Sequence, residues 1–188
     1  MIILFAFWLS VLFFLIVLLW ILVPALYGLP PVPTNKDRVQ RALKLANLRP
    51  GETLYDLGAG DGRVLFIAAR EFKANAVGIE IGPIQCFWIW LRSLGSGWGS
   101  HIKIRWGSFY KANLTNADIV FVYATSREVI KLAPHLAAQM KQGSRLVSIS
   151  ADFNDWEPAL VDEHDLIFIY EMPPTPGSVT TYLLKNMD

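Results

Sequence analysis

The chain has 188 residues, which is enough for one domain of ordinary size and an appendage. Its 17 Lys and Arg residues nearly balance its 16 Asp and Glu residues, and a formal net charge of +1 argues against a general nucleic-acid binder, which would carry a basic excess on one face. The single cysteine, Cys86, excludes an intrachain disulfide and a cysteine-rich zinc site. The three histidines lack the spacing of metal ligands, so we expect no metal.

The first two dozen residues are almost entirely apolar, and the first charged side chain is that of Lys36. A helix needs a run of about 20 apolar residues to cross a membrane, so we predict a transmembrane anchor over residues 1–24. A cleaved signal peptide is the alternative, but no Lys or Arg precedes the run and no good cleavage site follows it. A buried core helix would show a polar stripe, whereas only Ser10 interrupts this run.

Five cations lie close behind the apolar run, whereas only the α-amino group precedes it. By the positive-inside rule, this asymmetry predicts a single-pass membrane protein with the rest of the chain on the cytoplasmic side. Prolines recur in residues 25–34. Each proline fixes its own φ and keeps the preceding residue out of the helical conformation, so we predict a stiff, extended linker there. A folded domain is predicted over residues 35–188. The cations are Lys36, Arg38, Arg41, Lys44 and Arg49.

Within residues 35–188, apolar runs typical of strands alternate with helical patterns as far as residue 150. This alternation, followed by a terminal hairpin, predicts a mostly parallel sheet of seven strands with helices on both faces. A ligand should then bind across the carboxyl ends of the first strands. The predicted strands cover residues 53–57, 76–80, 102–106, 118–123, 145–150, 166–170 and 179–184.

The third predicted helix, which starts near Pro83, is rich in aromatic residues. We expect Phe87 and Leu91 to pack between helix and sheet. The group Trp88, Trp90 and Trp98 is too bulky to be buried entirely by a small domain, and contact with the membrane interface is one explanation for it.

A loop with three glycines, Asp56-x-Gly58-x-Gly60-x-Gly62, connects the first predicted strand to a helix. A dinucleotide loop would read G-x-G-x-x-G and would hold a pyrophosphate. Here Asp56 and Asp61 add two carboxylates, which suit a cofactor with an ammonium and a sulfonium group, namely S-adenosyl-L-methionine. Glu80, at the end of the second predicted strand, is placed to accept hydrogen bonds from ribose hydroxyls.

Two of these segments, 56–63 (DLGAGDGR) and 77–80 (VGIE), resemble motifs I and II of the class I, seven-strand S-adenosylmethionine-dependent methyltransferases. The finer resemblance is to small protein-lysine methyltransferases, both the archaeal broad-specificity enzymes and the mitochondrial group that acts on the ATP synthase c-subunit and the adenine nucleotide translocase. Three further segments carry it: Val32-Pro33-Thr34, Gly107-Ser108-Phe109, and Phe153-x-x-Trp156-x-Pro158.

The resemblance implies a Rossmann-like sheet with strand order 3-2-1-4-5-7-6 and an antiparallel last strand. It places Asp56, Gly58, Gly60 and Asp61 at the methionine end of the cofactor, Glu80 at the ribose, Ser108 and Phe109 beside the adenine, and Thr34 over the cofactor. Tyr123-Ala124-Thr125 stands where DNA and glutamine N-methyltransferases carry Asn/Asp-Pro-Pro-Tyr, which argues against those acceptors.

A lysine acceptor must lose its proton before it attacks, and desolvation against aromatic walls lowers its pKa. We expect Tyr123, Phe153 and Trp156 to form this wall and Asp152 or Asp155 to orient the amine.

The favoured function is therefore a membrane-anchored N-methyltransferase acting on lysines of proteins near the membrane, with no nucleic-acid partner. Methylation of a lipid headgroup or another small membrane-associated amine is an alternative, and an inactive cofactor-binding membrane module is another. The acceptor, the number of methyl groups and the oligomeric state stay open.

Overall fold

The computed structural model describes residues 1–26 and 34–186. Most of the predicted linker, residues 27–33, lies outside the described residues. The helices within the described part are α1 (Ile2–Leu26), α2 (Lys36–Leu45), α3 (Arg63–Phe72), α4 (Pro83–Leu94), α5 (Ser126–Gln139) and α6 (Val179–Lys185). The strands are β1 (Thr53–Leu57), β2 (Asn75–Glu80), β3 (Ile102–Trp106), β4 (Ile119–Tyr123), β5 (Arg145–Ile149), β6 (Trp156–Glu157), β7 (Leu160–Asp162), β8 (Ile167–Glu171) and β9 (Thr175–Pro176).

Seven strands form one sheet in the order β3-β2-β1-β4-β5-β8-β7, while β6 and β9 pair separately. Strands β1 to β5 are mutually parallel, and β8 runs antiparallel to both β5 and β7. Counted along the chain within this sheet, the order is 3-2-1-4-5-7-6, as the resemblance implied. Because β1 to β5 are parallel, their carboxyl ends meet at one edge of the sheet.

Both faces of the sheet are covered, which explains why β1, β2 and β4 are buried nearly throughout. Helices α2 and α3, with Ile89 of α4, pack on one face, and α5 with the segment around Phe153 packs on the other. The contact of α3 with β2 is close at Gly78, where a Cβ would lie 2.7 Å from Leu65 Cδ1 and 2.8 Å from Ala59 Cβ. This contact positions the loop that precedes α3.

The end of the chain differs from the sequence prediction. Residues 179–184 were expected to form a strand, but they belong to α6, whose first turn is capped by Ser178 Oγ accepting from the Thr181 amide at 3.2 Å. Within the seven-stranded sheet, the strand that the prediction missed is β7, which pairs with β8. The short pair β6 and β9 was not predicted either. Because β8 lies between β5 and β7, the place beside β5 that residues 179–184 would have taken is already filled.

Helix α1 is long and apolar enough to cross a membrane over Ile2–Trp20, and none of that segment is buried in the protein. By length and composition alone, a signal sequence would pass the same test. Helix α1 contacts α4.

Helix α4 corrects the expectation that Phe87 and Leu91 are core residues. Both are exposed, at 58% and 45% of their surface, because the helix buries only the narrow stripe Gln85, Ile89 and Ser93. The tryptophans Trp88 and Trp90 are also exposed, while Trp98 packs against the core.

Candidate active site

The glycine-rich loop lies between the end of β1 and the start of α3, at the carboxyl edge of the sheet. The amides of Gly58 and Ala59 both donate to the Ile79 carbonyl, at 2.9 and 3.1 Å, which holds the loop against β2. Gly58, Gly60 and Gly62 all have positive φ, at 92°, 54° and 77°. A Cβ on Gly58 would meet nothing within 4 Å, so its bare backbone faces open space where a ligand can approach.

Glu80, the last residue of β2, is buried and held by the same loop. Its Oε2 accepts from the Gly60 amide and its Oε1 from the Gly82 amide, both at 2.8 Å. Burial raises the pKa of Glu80, and these amide hydrogen bonds oppose the rise. Each carboxylate oxygen can accept a second hydrogen bond, so the oriented carboxylate can still receive two hydroxyl groups.

Asp56 is buried beside Glu80, and no group in the described residues donates a hydrogen bond to its carboxylate. Burial raises the pKa of Asp56 well above its ordinary value, and the nearby charges of Glu80 and Asp61 raise it further. A buried acid without a cationic partner is costly in the ionised form. The site therefore favours a ligand that brings positive charge.

Asp61 is engaged within the loop by Arg63. The Asp61 carboxylate accepts from the Arg63 amide and from Arg63 Nη2, both at 3.0 Å, and Arg63 Nη1 donates to the Thr34 carbonyl. Arg92 of α4 donates to the Asp61 carbonyl at 2.6 Å and stacks on the Phe66 ring at 4.2 Å. Arg63 thus holds Thr34 beside the loop.

Arg63 and Arg92 were missed as site residues. Arg63 could have been found, because an arginine at the first helical position after a Gly-Asp-Gly turn lies within reach of the aspartate. Arg92 could not, because 31 residues separate it from Asp61 and only the packing of α4 brings the two together.

Ser108 and Phe109 follow β3 on the same edge of the sheet. The Gly107 amide donates to the Glu80 carbonyl at 2.8 Å, so the segment begins beside the end of β2. Ser108 precedes a short 3-10 helix, Phe109–Lys111, and the Phe109 ring packs on Tyr110 with ring centroids 4.5 Å apart. The segment therefore lies near Glu80.

Tyr123 ends β4 and is partly buried. The Arg38 guanidinium of α2 lies 5.8 Å from its ring centroid. Arg38 also donates to Ser150 Oγ at 2.9 Å and to the Asp165 carbonyl at 2.6 Å. Arg38 therefore connects α2 with the ends of β4 and β5, a role that the sequence did not indicate.

The rings of Phe153 and Trp156 are stacked, with centroids 4.6 Å apart and planes 10° from parallel. Tyr170 packs edge-on against both rings, and its hydroxyl accepts from the Phe153 amide at 3.0 Å. Phe153 is only 2% exposed, whereas Trp156 and the neighbouring Asp152 are partly exposed. Of the two stacked rings, only that of Trp156 is accessible, and Phe153 supports it from the core. Tyr123 packs on the opposite face of the sheet, against the α2 and α3 side, so the three rings do not form the single wall that was expected. Asp155 is exposed in the same loop.

Asp162, His164 and Asp165 each present a ligand atom within 4.8 Å of the others, a grouping that the histidine spacing did not reveal. Arg41 pairs with Asp162 and also lies 3.4 Å from Asp165. The positive charge that a metal would supply is therefore already provided by the protein.

The residues present fit S-adenosyl-L-methionine. Asp56 is a buried carboxylate without a cation, Glu80 is an oriented acceptor for hydroxyls, and Gly58 offers open backbone. When bound, this cofactor supplies a methyl group on a positively charged sulfur that is already a good leaving group.

Residues 56–160 match a known protein family, the ANTKMT methyltransferase domain. A protein-lysine N-methyltransferase of Saccharolobus islandicus is 31% identical over 130 residues, which cover 69% of this chain and 81% of that protein. The adenine nucleotide translocase lysine N-methyltransferase of Mus musculus is 26% identical, over 85% of this chain and 70% of that protein. The ATP synthase c-subunit lysine N-methyltransferase of Xenopus laevis is 25% identical over 77% of this chain, which spans 64% of that protein.

Among solved structures, an RNA methyltransferase from Salinibacter ruber in complex with S-adenosyl-L-homocysteine is similar, with a TM-score of 0.73 and 33% identity over 78% of this chain and 97% of that one. Its bound S-adenosyl-L-homocysteine agrees with the cofactor that Asp56 and Glu80 indicate. The chain belongs to the ANTKMT methyltransferase domain family and is an S-adenosyl-L-methionine-dependent enzyme of the protein-lysine N-methyltransferase type.

Proposed function

We propose that the protein is a membrane-anchored methyltransferase that transfers methyl groups to lysine side chains of proteins at the membrane surface, with its catalytic domain on the cytoplasmic side. The observation that carries this proposal is α1, whose apolar segment Ile2–Trp20 is unburied and belongs to the same chain as the cofactor loop. The mouse and frog relatives are named for lysines of the adenine nucleotide translocase and of the ATP synthase c-subunit. A lysine acceptor near a membrane suits both observations.

In this proposal, residues 1–24 are the anchor, residues 25–34 the linker and residues 35–188 the catalytic domain. Only seven residues separate Leu26 of α1 from Thr34, and they can span about 25 Å when fully extended. Since Arg63 holds Thr34 at the cofactor loop, the loop stays close to the end of α1. The reachable lysines are then those close to the bilayer surface.

On the cofactor side, Asp56 faces the positive end of the cofactor and Glu80 accepts its ribose hydroxyls. Gly58 and Gly60 give the backbone room to approach, Asp61 with Arg63 holds Thr34 over the site, and Ser108 with Phe109 flanks the adenine. These residues align the cofactor, and alignment is a large part of what a methyl transfer between prepared groups requires.

On the acceptor side, Trp156 offers ring surface to the lysine side chain, with Phe153 behind it. Desolvation by these rings disfavours the ammonium form, so the amine gives up its proton to solvent more readily. The Asp152 carboxylate accepts a hydrogen bond from the amine and orients its lone pair.

The test is to incubate the full chain in lipid vesicles with cofactor carrying a labelled methyl group and with membrane fractions. We expect label on lysine side chains of membrane proteins. Label that extracts with organic solvent would instead indicate a lipid headgroup or small amine, and label in RNA would indicate the kind of acceptor for which the Salinibacter ruber enzyme is named. Asp56→Ala, which should abolish labelling of every acceptor, is the matched control.

A further inference from the structure

Helix α4 exposes a contiguous apolar surface that nothing in the described chain covers. Its core-facing stripe leaves five large side chains outside, all of them exposed. Contiguous apolar patches on a protein surface usually mark contact with another molecule or with a membrane. We call this surface the α4 aromatic face, and it consists of Phe87, Trp88, Trp90, Leu91 and Leu94.

A hydrogen bond ties this helix to α1 at a defined position. Gln85 Nε2 of α4 donates to the Trp20 carbonyl at 2.8 Å. In a regular helix that carbonyl would accept from the amide of residue 24, but residue 24 is a proline and has no N–H. Gln85 supplies the donor that Pro24 lacks, so the bond is specific for this point of α1.

The position of Trp20 along α1 gives the depth of α4. The 19 residues of Ile2–Trp20 form a helix about 28 Å long, close to the thickness of the hydrocarbon core. Trp20 therefore lies where the span would leave the hydrocarbon, and α4 meets it at that level. Tryptophan rings and long basic side chains such as that of Arg92 are favoured in this interfacial zone.

We propose that the α4 aromatic face lies in the interfacial layer of the lipid bilayer, so that the protein contacts the membrane through an in-plane helix as well as through α1. This inference rests on the membrane anchoring proposed above. The inference also bears on how the active site is oriented relative to the bilayer, because Arg92 on the same helix donates to the Asp61 carbonyl of the cofactor loop. A helix held in the interface would set the height of the active site above the bilayer.

The experiment places a fluorescent probe on introduced cysteines of the full chain, in phosphatidylcholine vesicles that carry a doxyl-labelled lipid as quencher. The background is Cys86→Ser, so that the introduced cysteine is the one site of labelling. We expect the chain to tolerate this change, because the native thiol is only partly buried. Leu91→Cys reports the α4 aromatic face. Ile130→Cys is the matched control, since Ile130 is 52% exposed and lies on α5, on the opposite side of the sheet.

We expect strong quenching of the probe at position 91 and little at position 130. Equal quenching at both positions would overturn the inference. So would the absence of quenching in the labelled sample together with a disulfide between the position-91 thiols of two chains in a parallel unlabelled Leu91→Cys sample under mild oxidation, because a second copy would then cover the face. In the same background, Gln85→Leu should reduce quenching at position 91, because the hydrogen bond from Gln85 to the Trp20 carbonyl that ties α4 to α1 is lost.

Extraction of the same vesicles with alkaline carbonate separates the two proposals. A chain released by carbonate would contradict the membrane span itself. A chain that stays in the vesicles without quenching at position 91 would leave the span intact and overturn only the role of α4.

Discussion

The two sides of the candidate active site are held by different kinds of contact. On the cofactor side, backbone amides of Gly60 and Gly82 donate to one carboxylate, Glu80, and the loop amides donate to one carbonyl. On the acceptor side, the proposed wall is held mainly by ring packing, in which Phe153 and Trp156 stack against each other and Tyr170 packs on both. Directional hydrogen bonds suit a cofactor that is always the same molecule. Ring packing imposes fewer directional requirements, so the surface that meets the acceptor can accommodate acceptors of different shape.

The largest expected effect is on the cofactor side, at Asp56. Asp56→Ala should weaken S-adenosyl-L-methionine binding by about 30-fold or more, since removing one partner of a buried charge pair costs about 2–5 kcal/mol. Isothermal titration calorimetry measures this directly. Asp155→Ala removes an exposed carboxylate from the loop that carries Phe153 and should leave cofactor affinity unchanged. Equal affinities of the wild type and Asp56→Ala would contradict the assignment.

The second prediction concerns pH. Burial, followed by the charges of Glu80 and Asp61, raises the pKa of Asp56, so the free protein holds a proton that a cationic ligand must displace. Cofactor affinity should therefore increase as pH rises towards the folded-state pKa of Asp56 and level off above it, with a slope of up to about tenfold per pH unit. Asp56→Asn should weaken binding and flatten this dependence. Binding titrations across the stability range of the protein provide the measurement.

The same raised pKa has a consequence for stability without cofactor. Above the unfolded-state pKa of an aspartate, about 3.9, the unfolded chain has released the Asp56 proton while the folded chain retains it. The contribution of Asp56 to the free energy of unfolding therefore falls as pH rises through that window up to the folded-state pKa. Denaturant titrations of wild type and Asp56→Asn should diverge in this direction, and parallel curves would contradict it.

A smaller effect is expected on the acceptor side. Trp156→Ala should lower kcat/KM for a lysine acceptor by roughly tenfold, about the 1.4 kcal/mol expected for the loss of aromatic contact. Cofactor affinity should not change, because the Phe153 and Trp156 stack takes no part in the Glu80 and Gly60 contacts. Trp156→Phe should restore part of the activity, and a thermal melt checks that both variants remain folded. A loss of cofactor binding in Trp156→Ala would mean that the two sides are not separable.

The smallest effect is expected where the N-terminal segment meets the loop. Arg63→Ala removes hydrogen bonds to the Asp61 carboxylate and to the Thr34 carbonyl. Because a single hydrogen bond to a charged group is worth about 1.5–3 kcal/mol when buried and less when partly exposed, we expect a loss of cofactor affinity of several-fold. Arg63→Lys should lose less. An unchanged affinity would mean that Thr34 is not held over the cofactor by this link.

Much of the cofactor side could be predicted from the sequence because its residues are neighbours along the chain. The carboxylates and glycines of residues 56–62 occur within one turn, and Glu80 follows at the end of the next strand. Parallel strands bring such ends together whatever else surrounds them. The strand order was also predicted, although the sixth and seventh strands were assigned to residues 166–170 and 179–184 and are in fact β7 and β8.

Residues 179–184 show why the edge was harder to predict. Val179, Thr180 and Thr181 have the β-branched side chains typical of strands, which favours the wrong assignment. What decides against a strand is the pairing of β7 with β8, together with the Ser178 cap. That pairing depends on a strand of only three residues, Leu160–Asp162, which carries little periodicity.

Helix α4 shows the same limit for burial. Its run of apolar residues indicates a helix but not which side faces the sheet, and Phe87 and Leu91 proved to be exposed. Periodicity could not settle this, because apolar side chains occur on all sides of the helix and packing against the sheet reaches only Gln85, Ile89 and Ser93.

The amino-acid order alone was thus sufficient for the fold class, the cofactor loop and the apolar N-terminal helix, since each depends on spacing within a short segment. Tertiary packing was needed to bring Arg92 to the loop, Arg38 to Tyr123 and Gln85 to the free carbonyl of Trp20. These contacts join residues 31, 85 and 65 positions apart. No local sequence pattern indicates which distant side chain will contact a given carbonyl or ring. The difference is physical, because backbone preference acts over a few residues whereas packing acts across the whole fold.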